Sequence, residues 1–207
     1  MNPTTYPRPV LLLVSAPSGA GKTTLCQQLL AAESANLRYS VSCTTRPPRK
    51  GETDGEDYFF LSRTQFEQEI AAGAFLEYAE VYGNYYGTRI SFLHETLNQG
   101  GSVLMDVDVQ GADIIRKALL ASDGDPVLRR ALVDVFIHPP SLQALRQRLE
   151  SRGKDDPQVI ERRMRNAEIE MVAADQYQYQ FVNGDLTTAF ETFRAIYTAS
   201  RHRTASV

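Results

Sequence analysis

The sequence has few of the residues that would indicate a secreted, zinc-binding or membrane protein. Its 207 residues include two cysteines, Cys26 and Cys43, which excludes a disulfide framework and favours a reducing compartment. The three histidines are scattered, and no Cys/His pair has the spacing of a zinc site. No apolar run is long enough for a signal segment or a membrane span. We therefore expect a soluble protein of the cytoplasm with no membrane partner.

An excess of charge of one sign is also lacking. The formal net charge of −3 argues against nucleic acid as the main partner. With 43% hydrophobic and 23% charged residues, the chain can bury a core and is not disordered. Its length suits one α/β domain with a small inserted lobe. Composition leaves open whether the chain forms a homo-oligomer.

The most informative segment is a glycine-rich turn that follows an apolar run. Residues 10–14 (VLLLV) lead directly into residues 15–24 (SAPSGAGKTT). A strand, a glycine-rich turn ending in Gly-Lys-Thr and a helix are typical of a P-loop, whose backbone N–H groups surround a phosphate chain. Lys22 can reach the β- and γ-phosphates, and the Thr23 hydroxyl can ligate Mg²⁺. Ala16 replaces the first glycine of the pattern, so a true match needs an extended backbone there.

Strand patterns alternate with helical patterns along most of the chain, which indicates a parallel sheet covered by helices on both faces. Predicted strands are residues 10–14, 39–42, 57–61, 102–109, 132–137 and 181–182. Predicted helices are residues 22–32, 64–73, 91–99, 112–120, 141–150, 157–174 and 186–200, with a polar loop at 122–126.

The segment between residues 42 and 89 breaks this alternation. Thr64 and Glu67 form a candidate capping box, and Gly83-Asn84 is a turn signal between alternating aromatic residues. We therefore interpret this segment as an inserted lobe with short antiparallel strands.

Two acids, Asp106 and Asp108, end the apolar strand pattern of residues 102–109. Residues two apart on a strand point to the same face, so both carboxylates are predicted side by side at the edge of the sheet where α/β proteins bind ligands. A carboxylate buried there needs a cation or a donor. Mg²⁺ near the P-loop would compensate Asp106, and a substrate rich in donors would compensate Asp108.

Two basic clusters could bind phosphate. Arg46 and Arg49 flank a stiff Pro-Pro pair, and two guanidinium forks on a rigid loop suit bidentate capture of a phosphate. With Tyr58, Tyr86 and Glu77 they predict a pocket for a phosphate and an aromatic base. The second cluster is a helix–turn–helix segment suited to a lid: Arg146, Arg148, Arg152, Lys154, Arg162, Arg163 and Arg165. Most of these charges are predicted to be solvated, and Glu161 is predicted to pair with Arg165.

Taken together, six segments resemble guanylate kinase, and the resemblance covers the chain from about Val10 to Ile196. The segments are residues 15–23, 40–49, 55–58, 83–88, 104–111 and 148–153. The P-loop alone would be generic, whereas Arg-Pro-Pro-Arg at 46–49 and Asn-Tyr-Tyr-Gly at 84–87 are specific. Bacterial members of the family commonly have alanine at the position of Ala16. Two departures are Gly184, where aspartate is more common, and a polar stretch at 122–130 that looks longer than usual.

The resemblance implies an α/β fold with a P-loop NTPase-type parallel sheet core flanked by helices. The core would comprise residues 8–41, 90–140 and 166–202 of a single domain spanning 1–207. An inserted small mixed α/β GMP-binding lobe would take up residues 42–89, and a helical lid residues 141–165. The implied reaction is ATP + GMP giving ADP + GDP with Mg²⁺, and the implied partners are these two substrates.

The resemblance also assigns roles to residues of this sequence. ATP would be bound by Ala16, Pro17, Ser18, Gly19, Ala20, Gly21, Lys22, Thr23, Thr24 and, near the adenine, Asn183. GMP would be bound by Ser42, Arg46, Arg49, Tyr58, Glu77, Tyr86, Thr88 and Asp108. The transferring phosphoryl group would be stabilised by Lys22, Arg152 and Arg163, and the metal would be held by Thr23 and Asp106.

Two alternatives stay open at this point. The first is a kinase for another nucleoside monophosphate, although Glu77 and Asp108 would accept from guanine N1–H and N2–H₂, which adenine lacks. The second is a catalytically inactive module of the same fold that binds phosphopeptides. Such modules typically lose the P-loop lysine or the lid arginines, whereas this sequence has Lys22, Arg152 and Arg163.

Overall fold

A five-stranded parallel sheet forms the centre of the computed structural model, which describes residues 7–151 and 156–203. The strands of both sheets are β1 (Leu11–Ser15), β2 (Leu37–Tyr39), β3 (Cys43–Thr44), β4 (Phe59–Phe60), β5 (Phe75–Val81), β6 (Asn84–Arg89), β7 (Ser102–Asp106), β8 (Leu132–His138) and β9 (Tyr179–Val182). The central sheet has the order β2-β7-β1-β8-β9, and each neighbouring pair is parallel. The predicted parallel core is confirmed.

Helices cover both faces of this sheet. Their bounds are α1 (Lys22–Ala32), α2 (Arg63–Ala71), α3 (Ile90–Asn98), α4 (Val109–Leu120), α5 (Pro126–Ala131), α6 (Leu142–Ser151), α7 (Pro157–Val172) and α8 (Leu186–Ser200), and a short 3₁₀ turn follows at Ala173–Gln176. Along β1, Leu12 and Val14 pack in a core with α1 and α8, whereas Leu11 and Leu13 pack on the opposite face with α3 and α4. Because both faces are covered, β1 is a continuous apolar run rather than an alternating one.

A second, four-stranded sheet lies between β2 and α3 in the sequence and has the order β4-β3-β6-β5. β3 pairs with β4 in parallel and with β6 antiparallel, and β5 and β6 form a hairpin. Phe66 of α2 is fully buried against this sheet and stacks on Phe75 and Tyr85, with ring centroids 4.3 and 5.2 Å away. We call residues 42–89 the small lobe.

Helices α6 and α7 pack against each other around a cluster of their own: Leu145, Leu149, Ile160, Met164 and Ala167. The hydrogen bond from Arg146 on the facing helix has the largest effect on the pKa of Glu161 and lowers it, and the charge of Arg165, the predicted partner, lowers it to a smaller extent. Arg146 donates to Glu161 in a bidentate pair, and such a fork is stronger than a single contact along one helix. Arg152 lies outside the described residues.

The predicted strand at 39–42 is wrong, because β2 ends at Tyr39 and β3 begins at Cys43. The Ser40 N–H still donates to the Leu104 carbonyl in the central sheet, at 2.9 Å. The Ser42 carbonyl already accepts from the Phe59 N–H in the small lobe, also at 2.9 Å. The backbone passes from the central sheet to the sheet of the small lobe within this segment, so residues 39–42 cannot form one continuous strand.

Three local signals lie elsewhere than predicted. Ser62 and Gln65, rather than Thr64 and Glu67, form the capping box of α2. The β5–β6 turn is centred on Tyr82 and Gly83, which both have positive φ (50° and 78°), as a two-residue hairpin turn of this hand requires. Residues 126–131, part of the polar stretch, form helix α5.

None of the helices in the described part of the chain is both long enough and apolar enough to span a bilayer.

Candidate functional site

The glycine-rich turn between β1 and α1 has the backbone conformation that a P-loop needs. Gly19 and Gly21 have φ values of 97° and 95°, which side chains other than hydrogen rarely allow. A Cβ on Gly19 would lie 3.0 Å from Leu145 and Leu149, and one on Gly21 would collide with the amide of Asn183. Ala16 needs no such conformation, since Tyr82 is the one non-glycine residue in the described ranges with positive φ. The substitution at the first position is therefore compatible with the loop.

Lys22 begins α1 and reaches across to the end of β7. Its Nζ donates to the Val107 carbonyl at 2.8 Å and forms an ion pair with Asp106. Both side chains are mostly but not fully covered, with 19% and 16% of their surface exposed. The lysine is thus held at the open edge of the sheet, where a phosphate chain on the loop would meet it.

The other loop residues differ in exposure. Ala16, Pro17 and Ala20 are buried, whereas Ser18, Thr23 and Thr24 are exposed. Asn183, which is 4% exposed, donates from Nδ2 to the Ala20 carbonyl at 2.7 Å and so fixes the loop from the end of β9. A cavity of about 320 Å³ opens beside it, and its lining includes Gly21, Thr24, Arg148 and Asn183.

The small lobe brings Arg46, Tyr58 and Tyr86 together, as predicted. The Arg46 guanidinium lies over the Tyr58 ring, 5.4 Å from its centroid, and the Tyr58 and Tyr86 rings meet edge to face at 6.0 Å. Arg49 is exposed on the same loop. Glu52 holds Arg46 in a bidentate ion pair, and the Arg46 guanidinium followed by the Arg49 N–H lowers the pKa of Glu52 below its usual value.

Glu77 and Thr88 face each other across the β5–β6 hairpin, and the Thr88 hydroxyl donates to Glu77 Oε1 at 2.8 Å. Burial raises the pKa of Glu77, the Thr88 hydrogen bond partly offsets it, and the nearby Asp108 charge raises it further. Ser42 is half-buried at the start of the same lobe.

The expectation that Asp106 and Asp108 stand side by side on one strand is wrong. β7 ends at Asp106, and Asp108 is the N-cap of α4, where its Oδ1 accepts from the Gly111 N–H at 2.7 Å. An N-cap aspartate satisfies a backbone donor that the helix leaves unpaired, which accounts for the early end of the strand.

Arg163 lies half-buried on α7 and has an interaction partner. Arg152, its predicted companion in phosphoryl transfer, lies outside the described residues, so the structure places one of the two lid arginines.

Thr23 and Asp106 offer a hydroxyl and a carboxylate oxygen at the phosphate end of the loop. These are the hard oxygen ligands that Mg²⁺ prefers, and Mg²⁺ usually takes its other ligands from water and nucleotide phosphates. Within residues 7–151 and 156–203, no group of three or more His, Cys, Asp or Glu side chains could hold a metal alone. A hydroxyl and a carboxylate are donors of the chemistry that suits a cation arriving with a nucleotide.

Three further residues belong to the site although the sequence patterns did not assign them. Arg148 donates to the Ala20 and Asn183 carbonyls, at 3.3 and 2.9 Å, and lines the cavity beside the P-loop. Glu52 accepts hydrogen bonds from the Arg46 guanidinium and the Arg49 N–H and so holds the loop that contains both arginines. Glu170 on α7 has its pKa raised by burial and then by the charge of Asp108.

The chain is similar over nearly its whole length to proteins of one family. A family model described as guanylate kinase matches residues 6–200. A guanylate kinase from Symbiobacterium thermophilum is 44% identical over 198 residues, 96% of this chain and 89% of that protein. One from Alkalilimnicola ehrlichii is 46% identical over 193 residues, 93% and 90% of the two chains. A crystal structure of guanylate kinase from Anaplasma phagocytophilum has a TM-score of 0.69 at 31% identity, covering 96% of this chain and 89% of that one. The chain therefore belongs to the guanylate kinase family.

Proposed function

We propose that the chain transfers the γ-phosphoryl group of ATP to GMP, giving ADP and GDP, with the residue roles described below. One observation carries this proposal: the two halves of the site meet at the end of β7. Asp106 pairs with Lys22 of the P-loop, and Asp108 is the N-cap of α4, which packs in one apolar core with Leu76, the neighbour of Glu77 in the small lobe. A donor nucleotide on the loop and an acceptor in the lobe would thus meet at their phosphates.

The ATP half comprises the P-loop and the cavity beside it. Backbone N–H groups of residues 18–24 and the positive end of the α1 dipole attract the phosphate chain. Lys22 contacts the β- and γ-phosphates, and Asn183 and Arg148 fix the loop on the side where the nucleoside would enter the cavity.

The GMP half recognises a phosphate and a base separately. Arg46, Arg49, Tyr58 and Tyr86 bind the phosphate through guanidinium and phenol donors. Glu77 and Asp108 accept from guanine N1–H and N2–H₂, while Ser42 and Thr88 contact the O6 side. Adenine has a ring-nitrogen acceptor and a C–H at those positions and would leave both carboxylates unsatisfied. Sites of this kind discriminate by up to about 10⁴–10⁵.

In the transfer step, a phosphate oxygen of GMP forms a bond to the γ-phosphorus of ATP while the bond to the bridging β,γ-oxygen breaks, and ADP leaves. Lys22, Arg152 and Arg163 stabilise the charge on the transferring group, and an arginine in this role contributes on the order of 10³-fold or more in rate. Thr23 and Asp106 would hold Mg²⁺, which neutralises charge on the ATP phosphates when bound. The two unpaired, buried cysteines and the use of ATP support a cytoplasmic location.

The test is ADP formation from Mg-ATP with GMP, AMP, UMP, CMP and dTMP supplied separately, with EDTA as the control for the metal. We expect turnover with GMP alone. Turnover with a different monophosphate would support phosphoryl transfer from ATP but would contradict the assignment of Glu77 and Asp108 as the residues that select the base. No turnover with any of the five would overturn the proposal in favour of a phosphate-binding interaction module.

A further inference from the structure

Glu52 lies between the two arginines that we propose to bind the GMP phosphate. It accepts hydrogen bonds from both ends of the Arg46 fork, Nη1 to Oε2 at 3.0 Å and Nη2 to Oε1 at 2.9 Å. The Arg46 and Glu52 side chains are only 13% and 19% exposed. A pair as well covered as this is screened less by salt than one on the open surface. Most of the surface of this ion pair is therefore covered by neighbouring groups.

The same carboxylate also fixes the backbone at Arg49. The Arg49 N–H donates to Glu52 Oε2 at 2.6 Å, and the Glu52 N–H donates to the Arg49 carbonyl at 3.1 Å. Gly51 closes this turn with a φ of 94°. Glu52 thus determines where the Arg46 guanidinium lies and from which point the Arg49 side chain extends.

The hydrogen bonds of Arg46 to Glu52 and Pro47 use one side of its guanidinium and leave the other to the Tyr86 phenol and to a ligand. Arginine has five N–H donors. Two of them bind Glu52, and a third, from Nη1, binds the Pro47 carbonyl at 2.8 Å. The Nε–H and the second Nη2–H remain and form the side edge, which is itself a bidentate fork for phosphate. In residues 7–151 and 156–203, no carboxylate or carbonyl oxygen accepts from that edge.

Aromatic rings hold the plane of the same guanidinium. The Tyr58 and Phe60 ring centroids lie 5.4 and 5.8 Å from its central carbon, and the Tyr86 phenol lies within hydrogen-bonding reach. A planar donor that is packed against rings and bonded along one edge needs little reorganisation before it binds a ligand.

We propose that Glu52 is a positioning residue for phosphate recognition: it holds Arg46 by one edge and Arg49 by its backbone, so that the other edge of Arg46 meets the phosphate of the acceptor nucleotide. This inference rests on the proposed function. The competing arrangement is a carboxylate that occupies the phosphate's own place and must be displaced. The side edge favours positioning, because it faces the Tyr86 phenol rather than a carboxylate, and a phosphate can bind there beside Tyr86 while Glu52 stays in place.

The experiment measures equilibrium binding of GMP and of guanosine by calorimetry, without ATP, for the wild type, Glu52→Ala and Glu52→Gln. Glu56→Ala, which alters an exposed glutamate of the same loop, is the matched control. We expect Glu52→Ala to weaken GMP binding by about tenfold or more, since hydrogen bonds to charged groups are lost, and to leave guanosine binding unchanged. Glu52→Gln, which keeps one acceptor, should fall between, and Glu56→Ala should match the wild type.

Steady-state kinetics provide a second readout. The KM for GMP should rise in Glu52→Ala while the KM for ATP stays constant, and the effect of Glu52→Ala should be smaller in an Arg46→Ala background. Tighter GMP binding by Glu52→Ala would show that Glu52 competes with the phosphate. Equal weakening of GMP and guanosine, or no change in either, would also overturn the proposal. The proposed function fails separately, if the wild type itself binds GMP no better than guanosine.

Discussion

Burial and hydrogen bonding act in opposite directions on the carboxyl group of Glu77. Burial raises its pKa and the charge of Asp108 adds to this, whereas the hydroxyl of Thr88 stabilises the ionised form. The sum is a raised pKa, because burial is the largest of the three effects. Guanine offers two adjacent donors, and only an ionised carboxylate can accept from both. With the role that we propose for Glu77, binding of GMP would depend on a group that gains a proton earlier on acidification than an ordinary glutamate does.

This leads to a prediction about pH. The KM for GMP should rise on acidification, beginning above the ordinary glutamate value of 4.5, while the KM for ATP changes less. Glu77→Gln should have a high KM for GMP at neutral pH and lose this part of the pH dependence. The measurement is kcat/KM for GMP across the acid range at saturating ATP. A profile for Glu77→Gln that coincides with the wild-type profile would contradict the assignment.

Single residues also show what the sequence could not reveal. Lys22 stands in a P-loop motif whose spacing indicates its chemistry. The role of Arg148 has no such signal, because it comes from contacts with the carbonyls of Ala20 and Asn183, which lie 128 and 35 residues away in the sequence. Nothing in the local pattern distinguishes it from the other arginines of the same cluster.

At the level of elements, the polar stretch that looked like an extended loop contains helix α5. Asp125 is its N-cap and accepts from the N–H groups of Val127 and Leu128 at 2.9 and 3.0 Å, and Pro126 occupies the first helical position. His94 Nε2 of α3 meets the same carboxylate at 2.5 Å. Partial burial opposes ionisation of Asp125, but the Leu128 N–H and His94 outweigh it and hold its pKa below the usual value.

Asp125→Ala should therefore destabilise the protein by about 1–2 kcal/mol, the usual cost of a lost N-cap. Because the pKa is lower in the folded state, the contribution is present above the ordinary value of 3.8 and is lost as the pH falls through the folded pKa. Urea unfolding at neutral and acid pH measures both effects, with Asp123→Ala on the same exposed stretch as the control. An equal loss in the two variants would mean that the cap does not stabilise α5.

The elements that were predicted correctly have a clear local signal. The closing helix 186–200 has a long periodic pattern, the helix 22–32 follows the P-loop motif, and both have the predicted bounds. The errors occur where a tertiary contact overrides the local pattern. Residues 39–42 look like one strand, but they pass from one sheet to the other, and Asp125-Pro126 looks like a turn, but it begins a helix.

For the whole molecule, a buried ion pair joins layers that are distant in sequence. Arg116 of α4 and Asp134 of β8 are 8% and 1% exposed, and Nη1 donates to Oδ2 at 3.0 Å. The other oxygen of Asp134 accepts from the Gln178 N–H at 2.8 Å, and Arg116 also contacts Gln176 and the ring of Tyr177. One carboxylate thus connects a helix layer, the central sheet and the segment between α7 and β9. The alternating pattern predicted these layers but not the pair that joins them.

Removing one partner of this pair should be costly, because the other charge stays buried without compensation. Asp134→Ala should lower the free energy of unfolding by about 3–5 kcal/mol. Replacing both partners, Arg116→Met with Asp134→Leu, should cost less than Asp134→Ala alone, since apolar side chains of similar volume leave no unpaired charge. Guanidinium chloride unfolding of the wild type, Arg116→Met, Asp134→Ala and the double variant measures the difference, and equal m-values would show that the same structure unfolds. A double variant as unstable as Asp134→Ala would mean that the hydrogen bond to the Gln178 backbone, rather than the charge of Arg116, carries the contact between the layers.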